Sequence, residues 1–217
     1  MTGELTILRN MLGSFEASVR ESVKKAGNAI KRRDTELARS VTVSEIYHSH
    51  MSLDIEDRCV NLITTHQFPP YELREITSIV KMNKYIRLIS SHSAKIAAQS
   101  LRLKTESHEC LDTELAKSID HAIEILEILR PAIATLDGSK AWNALHFAVE
   151  QTKDGNEGGA ANFSWEENLH CNGGLAAIYC MVKQDIESIV TLSMAVAGEI
   201  VFTLDGEYPC LTSCHSH

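Results

Sequence analysis

The spacing of apolar residues by threes and fours constrains this chain most, because that period gives a helix one apolar face. In the first stretch the apolar stripe runs from Leu5 to Ile30, and polar side chains such as Arg20 and Lys24 fall on the opposite face. Comparable stripes recur along most of the chain. The pattern predicts an all-α protein of six helices in which strands are absent or trivial.

Turn signals separate the stripes of the first half. Asp34 is suited to cap a second helix. The Pro69-Pro70 pair ends that helix, because proline disfavours helical geometry at the preceding residue. A third helix is predicted to begin near Tyr71.

The second half is divided in the same way. Pro131 is expected to kink or shorten the fourth helix, and Asp137-Gly138 follows as a break. A fifth helix is predicted from Lys140 to about Gln151. The clearest loop is predicted over Asp154 to Gly159. A last helix is predicted from about Trp165 to Thr203.

The two halves share a register that suggests duplication. Four residues of the third helix match four of the last, in order: Ile86, Ile89, Ser93 and Ala97 match Ile186, Ile189, Ser193 and Ala197. Asp34 similarly matches Asp137. We predict two tandem three-helix bundle repeats, residues 1–106 and 107–208, followed by a C-terminal tail at 209–217.

Charge and composition exclude some classes of partner. The net charge is -8, and no basic cluster exceeds Lys31-Arg32-Arg33, so no nucleic-acid surface is expected. The apolar run from Leu192 to Leu204 is interrupted by Glu199 and is shorter than the roughly 20 residues that span a bilayer. The six cysteines lack a framework spacing, and the N-terminus lacks a signal-peptide pattern. We expect a cytoplasmic protein with reduced thiols that reaches the membrane only through a partner.

Several segments resemble the PhoU family of phosphate-uptake regulators. They occur in the family's order: Asp34 to Ala38, Ile55 to Cys59, His66 to Arg74, Ile86 to Ala97, and Ile200 to Glu207. The similarity is strong over residues 26–97, moderate over 182–207 and poor over 137–175. The resemblance implies a PhoU-like six-helix bundle of two repeats.

The resemblance also implies a regulatory adaptor without catalytic activity. Such a protein would bind and restrain a phosphate ABC transporter ATPase, its sensor histidine kinase, or both, when phosphate is plentiful. Family members often form dimers, so a homodimer is possible. Some members hold iron or zinc clusters through a Glu-x-x-x-Asp pair in each repeat.

The metal-binding positions implied by the family are largely substituted here. The first pair falls at Arg87 and Ser91, and the second falls at Glu187 and Thr191, while Glu45 matches an acidic position on the second helix. Two carboxylates four residues apart can share one cation, whereas an arginine in their place repels it. We therefore expect the family's iron or zinc clusters to be absent or much weakened, and we expect no cofactor.

Weaker sets of ligand-type residues stay open as alternatives. One is the tail, where thiol and imidazole groups are close in sequence: Cys210, Cys214, His215 and His217. A frayed terminus after Pro209 is the competing interpretation. Another is a group of first-half histidines, which are more often hydrogen-bonded or solvated than metal-bound: His48, His50, His66 and His92. No catalytic residue is predicted, because nothing near His170-Cys171 or Asp185 supplies a base, an orienting group and an oxyanion hole.

The turn from Gln67 to Arg74 is the predicted partner contact, with Glu72 and Arg74 as its candidate residues. Glu72 has a structural explanation, because acidic residues are favoured at a helix start. Arg74 does not gain from that position. It could bond carbonyls of the second helix, or it could pair with a partner's carboxylate.

Three function classes remain possible at this stage. The adaptor is the first, and it needs only an exposed helical face. A metal-binding helical bundle is the second, but the duplicated Glu-x-x-His motif of di-iron bundles is missing. A diverged paralogue that regulates another transporter or regulator is the third.

Overall fold

The computed structural model describes residues 2–102, 109–158 and 173–210. In these ranges the chain forms six α-helices and no strand, which confirms the all-α fold class. The helices are α1 (Thr2–Arg32), α2 (Thr35–Thr65), α3 (Pro70–Arg102), α4 (Glu109–Thr135), α5 (Gly138–Gly158) and α6 (Gly173–Asp205).

The helices pack as two three-helix units. Helices α1, α2 and α3 contact one another, and so do α4, α5 and α6. The units meet through α3 against α6, which is the most extensive helix contact, and through α1 against α4. In the described ranges α2 and α5 contact only helices of their own unit. The predicted boundary at residue 106 lies outside the described residues, so the exact division stays a prediction.

The turns that join α1 to α2 and α4 to α5 have the same construction. Arg33 and Leu136 both adopt left-handed φ angles, 55° and 48°. In each turn the next residue, Asp34 or Asp137, donates its backbone N–H to the carbonyl five residues earlier, at 3.1 and 3.2 Å. Each aspartate carboxylate then caps the following helix by accepting a backbone N–H three residues later. Hydrogen bonding, chiefly from the Ser139 hydroxyl, lowers the pKa of Asp137 to about 2.

The matched registers of α3 and α6 have matched burial. Ile86 and Ile186 are both buried, and so are Ser93 and Ser193. Each serine hydroxyl donates to a carbonyl of its own helix, at 2.7 and 2.8 Å. Equivalent positions therefore face equivalent environments, as the duplication predicts.

Of the kink or shortening predicted at Pro131, the shortening is absent and the kink stays a prediction, while one predicted loop is wrong. Pro131 does not shorten α4, which continues to Thr135. Proline removes a single N–H donor, and here that loss falls in the last turns, where little helix remains to be disrupted. The loop predicted over Asp154 to Gly159 is helical through Gly158. Glycine in a helix costs about 1 kcal/mol relative to alanine, which lowers helix stability without forbidding it. The predicted start of the last helix at Trp165 lies outside the described residues.

Helix α6 is the most apolar element. Its stretch Ala176–Asp205 is long and apolar enough to cross a membrane, judged by length and composition alone. More than half of its most apolar window is buried in the protein, because α6 packs against α3, α4 and α5. A helix that contacts three neighbours needs apolar residues on most of its circumference, and this burial accounts for its composition.

Candidate functional site

The seam between α3 and α6 contains Glu187 and Thr191, the second-repeat positions at which the family resemblance places metal ligands. A groove of about 430 Å³ opens there. It is lined by Leu88, His92, Gln184, Glu187, Ser188, Thr191 and Leu192. Beside it the His92 Nδ1 atom lies 2.7 Å from Asp185 Oδ1, which joins the two repeats through one hydrogen bond.

Arg87 neutralises the retained carboxylate of the first repeat. Its Nη1 atom lies 3.7 Å from Glu45 Oε1, and each side chain is about one-third exposed. In the second repeat Glu187 is exposed, and the Thr191 hydroxyl donates to the Glu187 carbonyl at 3.0 Å. Ser91 is half-buried on α3.

These residues do not fit the family's metal clusters. Glu45 is held by a cation of its own chain, and Glu187 shares its groove with Leu88 and Leu192. Across residues 2–102, 109–158 and 173–210, no group of three or more His, Cys, Asp or Glu side chains is placed to hold a metal ion. The loss of iron or zinc binding remains a prediction to be tested by elemental analysis.

His48 is part of the core of the first repeat. Its Nε2 atom lies 2.9 Å from the Ser18 hydroxyl, and its Nδ1 atom lies 2.7 Å from the Ser90 hydroxyl. Burial, followed by the positive charge of Arg87, lowers the pKa of His48. A neutral imidazole with both nitrogens occupied by serines is a structural group that links α1, α2 and α3.

The other residues predicted as possible metal ligands do not form a cluster with His48. His50 and His66 are exposed, and the His66 ring bonds the neighbouring Thr65 hydroxyl at 2.8 Å. Cys210 is exposed. The remaining candidates lie outside the described residues: His170, Cys171, Cys214, His215 and His217.

The predicted partner contact lies at one end of the bundle, beside the end of α6. Gly206 ends α6 with a φ of 79°, and its N–H donates to the Phe202 carbonyl at 2.9 Å. The Arg74 guanidinium packs against Gly206 so closely that a Cβ atom added there would lie 2.5 Å from Arg74 Nη1. Arg74 thus contacts α6 rather than the carbonyls of α2. A cation is favoured at a helix C-terminus, which gives Arg74 a structural role that the sequence did not reveal.

Glu72 is less accessible than predicted. It is only 7% exposed, and its Oε1 atom lies 3.4 Å from the Tyr71 hydroxyl. The exposed large hydrophobics of this end include Tyr71, Leu73 and Leu204, and Arg74 is half-buried. We call these four residues the bundle-end surface. Of the two predicted contacts, Arg74 is the more exposed, and its contact with a partner stays a prediction.

Tyr208 and Pro209, just after α6, pack against the bundle, whereas most of the tail after Pro209 lies outside the described residues. The Tyr208 ring stacks on Phe202, with centroids 4.4 Å apart, and its hydroxyl donates to the buried Glu199 at 3.0 Å. Lys81 donates to the Tyr208 hydroxyl at 2.5 Å, and this bond raises the lysine pKa. Pro209 contacts Gly198. The sequence signal was Glu199, a carboxylate in an apolar helix that required a polar partner.

Comparison with known sequences identifies relatives that all carry the name PhoU. A sequence model described as the PhoU domain matches residues 14–100. The "Phosphate-specific transport system accessory protein PhoU" of Edwardsiella tarda is 24% identical over 206 residues, covering 94% of this chain and 84% of the relative. The "Phosphate-specific transport system accessory protein PhoU homolog 1" of Thermotoga maritima is 21% identical over 220 residues, covering 94% and 88%.

Solved structures share the fold along nearly the whole chain. PhoU from Pseudomonas aeruginosa superposes with a TM-score of 0.86 at 19% identity, covering 95% of this chain and 99% of that one. The phosphate transport system regulatory protein PhoU from Streptococcus pneumoniae gives a TM-score of 0.82 at 20% identity, covering 96% and 98%. The shared architecture therefore extends beyond residues 14–100, the range that the PhoU domain model matches.

Proposed function

Because the chain is a diverged member of the PhoU family, we propose that it is a regulatory accessory protein of phosphate transport. The observation that carries this proposal is the match over 94% of the chain to a relative named as an accessory protein of the phosphate-specific transport system. An accessory protein needs an exposed recognition surface and no reaction chemistry. A rigid helical bundle supplies such a surface at little conformational cost, because its helices are already ordered before binding.

The finer proposal concerns the partner and the contact. The protein binds the cytoplasmic ATPase subunit of a phosphate ABC transporter, or the associated sensor histidine kinase, and restrains it when phosphate is plentiful. The bundle-end surface is the proposed contact. Its aromatic and aliphatic side chains lie at the same end of the bundle as Arg74, and such a combination is common at the centre of protein interfaces. A guanidinium in this setting can pair with a partner's carboxylate through two hydrogen bonds.

The described residues give no support for an enzymatic role. Cys59 is buried, and burial raises the pKa of its thiol to about 11, so it carries almost no thiolate at neutral pH. Burial also raises the pKa of Cys180. His48, the histidine with two hydroxyl neighbours, is enclosed in the core. We therefore propose that the protein acts by stoichiometric binding.

Phosphate uptake in the native cell tests the proposal. Deleting the gene should raise uptake of labelled phosphate in phosphate-rich medium, and a plasmid copy should restore the lower rate. An Arg102→Ala copy, altered at the opposite end of α3, should restore it equally. Unchanged uptake in the deletion strain, with transporter genes expressed normally, would overturn the proposed function.

One observation favours a second candidate function. The Arg87–Glu45 ion pair occupies the face that holds metal in some family members, so this chain has departed from them at a functional surface. A paralogue regulating another transporter would show such a departure. In that case the deletion would leave phosphate uptake unchanged and would alter the uptake of a different solute.

A further inference from the structure

Helix α2 carries a row of large apolar side chains on its outer face that are mostly exposed. The row consists of Val43, Ile46, Tyr47, Leu53 and Val60, each between 55% and 69% exposed. At 3.6 residues per turn these five positions fall within about 140° of the helix circumference, so they share one side of α2. We call this row the α2 outer row. It is distinct from the buried stripe of the same helix, which includes Val41, Ile55 and Cys59.

The fold itself does not require this row. Helix α5 occupies the equivalent place in the second repeat, because the caps Asp34 and Asp137 correspond. Counting from those caps, His146 and Glu150 take the places of Val43 and Tyr47. Among the described side chains of α5, residues 138–150, no large hydrophobic is exposed. Single exposed apolar residues are ordinary, but a continuous row on one helix indicates an interaction surface.

The charged side chains of α2 that lie in the α2 outer row without an ion-pair partner in the described part of the chain are negative. Asp54 and Asp57 are exposed within it and form no ion pair within the described residues. The arginines of α2, Arg39 and Arg58, are both held in ion pairs with glutamates of the same chain. The surface therefore presents apolar side chains with unpaired carboxylates and no free cation on its own helix. Electrostatic complementarity favours an occupant that carries lysine or arginine.

A second copy of this chain is a poor occupant. An antiparallel pairing of two α2 helices would bring Asp54 and Asp57 of both copies near its centre, since these residues lie in the middle of the row. A net charge of -8 on each chain adds to the repulsion. Like charges placed together at an interface oppose association. The geometry and charge fit a basic partner better than a copy of the same acidic surface.

We propose that the α2 outer row docks an amphipathic helix whose apolar face is flanked by lysine or arginine, and that this helix belongs to the transporter ATPase subunit. The inference rests on the proposed function and adds a second contact to the bundle-end surface. An apolar row on one helix is recognised by a complementary apolar face on another. The carboxylates Asp54 and Asp57 orient the incoming helix through its basic residues.

The test is binding of the purified cognate ATPase subunit to surface variants, measured by calorimetry. The double change Tyr47→Ser with Leu53→Ser should weaken binding by about tenfold or more, because hot-spot aromatic and aliphatic contacts dominate interface energies. Both residues are exposed, so the fold should survive, as circular dichroism would verify. Met181→Ser on α6 is the matched apolar control and should bind like the wild type.

A charge-reversal pair tests the second part of the inference. Asp54→Lys with Asp57→Lys should weaken binding, and increasing salt should reduce the difference from the wild type. Glu150→Lys on α5 is the matched control and should change little. A photo-crosslinking residue at position 53 should capture a basic segment of the ATPase subunit.

The outcomes separate this inference from the function on which it rests. If the wild type binds the ATPase and the α2 variants bind equally well, the docking surface is refuted while the proposed function stands. If the wild type binds neither the ATPase nor the sensor kinase, the docking inference and the proposed function are both refuted. If the α2 variants change only the oligomeric state in sedimentation, a second copy is the occupant and the inference is wrong. Docking of the sensor kinase alone would also overturn it.

Discussion

The buried carboxylate of Glu16 gives the sharpest prediction about stability, because it lies in the contact between α1 and α4 that joins the repeats. Glu16 is 3% exposed, and Arg20 donates to it at 3.1 Å. Arg20 also bonds Glu127 of α4 at 2.7 Å, and Lys24 bonds the same carboxylate. Burial raises the pKa of Glu16 to about 7, although Arg20 lowers it in part.

This pKa fixes the sign and size of a pH effect. The carboxyl binds a proton more tightly in the folded protein than in the unfolded chain, where its pKa is near 4.5. Its contribution to stability is therefore complete below about pH 4.5 and is lost as pH rises through about 7. A change from 4.5 to about 7 corresponds to about 3 kcal/mol in the free energy of unfolding, at about 1.4 kcal/mol for each factor of ten.

Glu16→Gln removes the titration and keeps an oxygen that can accept from Arg20. At about pH 8 the variant should exceed the wild type in free energy of unfolding by up to about 3 kcal/mol, and near pH 4.5 the difference should vanish. Urea unfolding of the variant and the wild type at several pH values measures these differences in the free energy of unfolding. Glu21→Gln, an exposed change on the same helix, is the matched control and should give a small difference. A constant difference between Glu16→Gln and the wild type from about pH 5 to pH 8 would refute the reasoning.

Three further predictions follow from the structure. Gly206→Ala should destabilise the protein by about 1 kcal/mol or more in urea unfolding, because the residue has a φ of 79° and its added Cβ would meet Arg74; unchanged stability would show that this turn relaxes freely. Asp34→Ala should lower the free energy of unfolding by about 1 kcal/mol, because the α2 cap is lost. Asp137→Ala should also lower it, because the corresponding α5 cap is lost. An effect at only one of the two positions would argue against equivalent capping turns. Protein purified without a histidine tag should contain no stoichiometric iron or zinc by elemental analysis, and metal that is lost on changing Glu187 would contradict this.

The fold was predictable because helix periodicity and capping are local properties of a sequence. The apolar stripes placed six helices, and Asp34 and Asp137 marked the two matching turns before any contact was known. The predicted loop was wrong over Asp154 to Gly158, and Pro131 did not shorten its helix. At both places residues of low helix propensity are accommodated in a helix whose stability comes from packing along its length.

The candidate surfaces were harder to predict, because they depend on contacts between distant residues. The turn at Arg74 was identified from sequence, but its packing on Gly206 joins residues far apart in the chain. The α2 outer row was missed for a different reason. A helix with apolar residues on two faces has the same local period on both, so spacing cannot tell buried Ile55 from exposed Leu53.

Direct binding between this chain and the cognate phosphate-transporter ATPase subunit tests the central claim most closely. Isothermal titration calorimetry should show saturable binding at a fixed molar ratio. Arg74→Ala should weaken it by about 2 kcal/mol, or roughly thirtyfold, if the guanidinium pairs with a partner's carboxylate in a buried contact. Arg102→Ala, at the other end of α3, should bind like the wild type. Binding that is unchanged by Arg74→Ala would remove the bundle-end surface from the interface. Absence of binding to both the ATPase subunit and the sensor kinase would contradict the account as a whole.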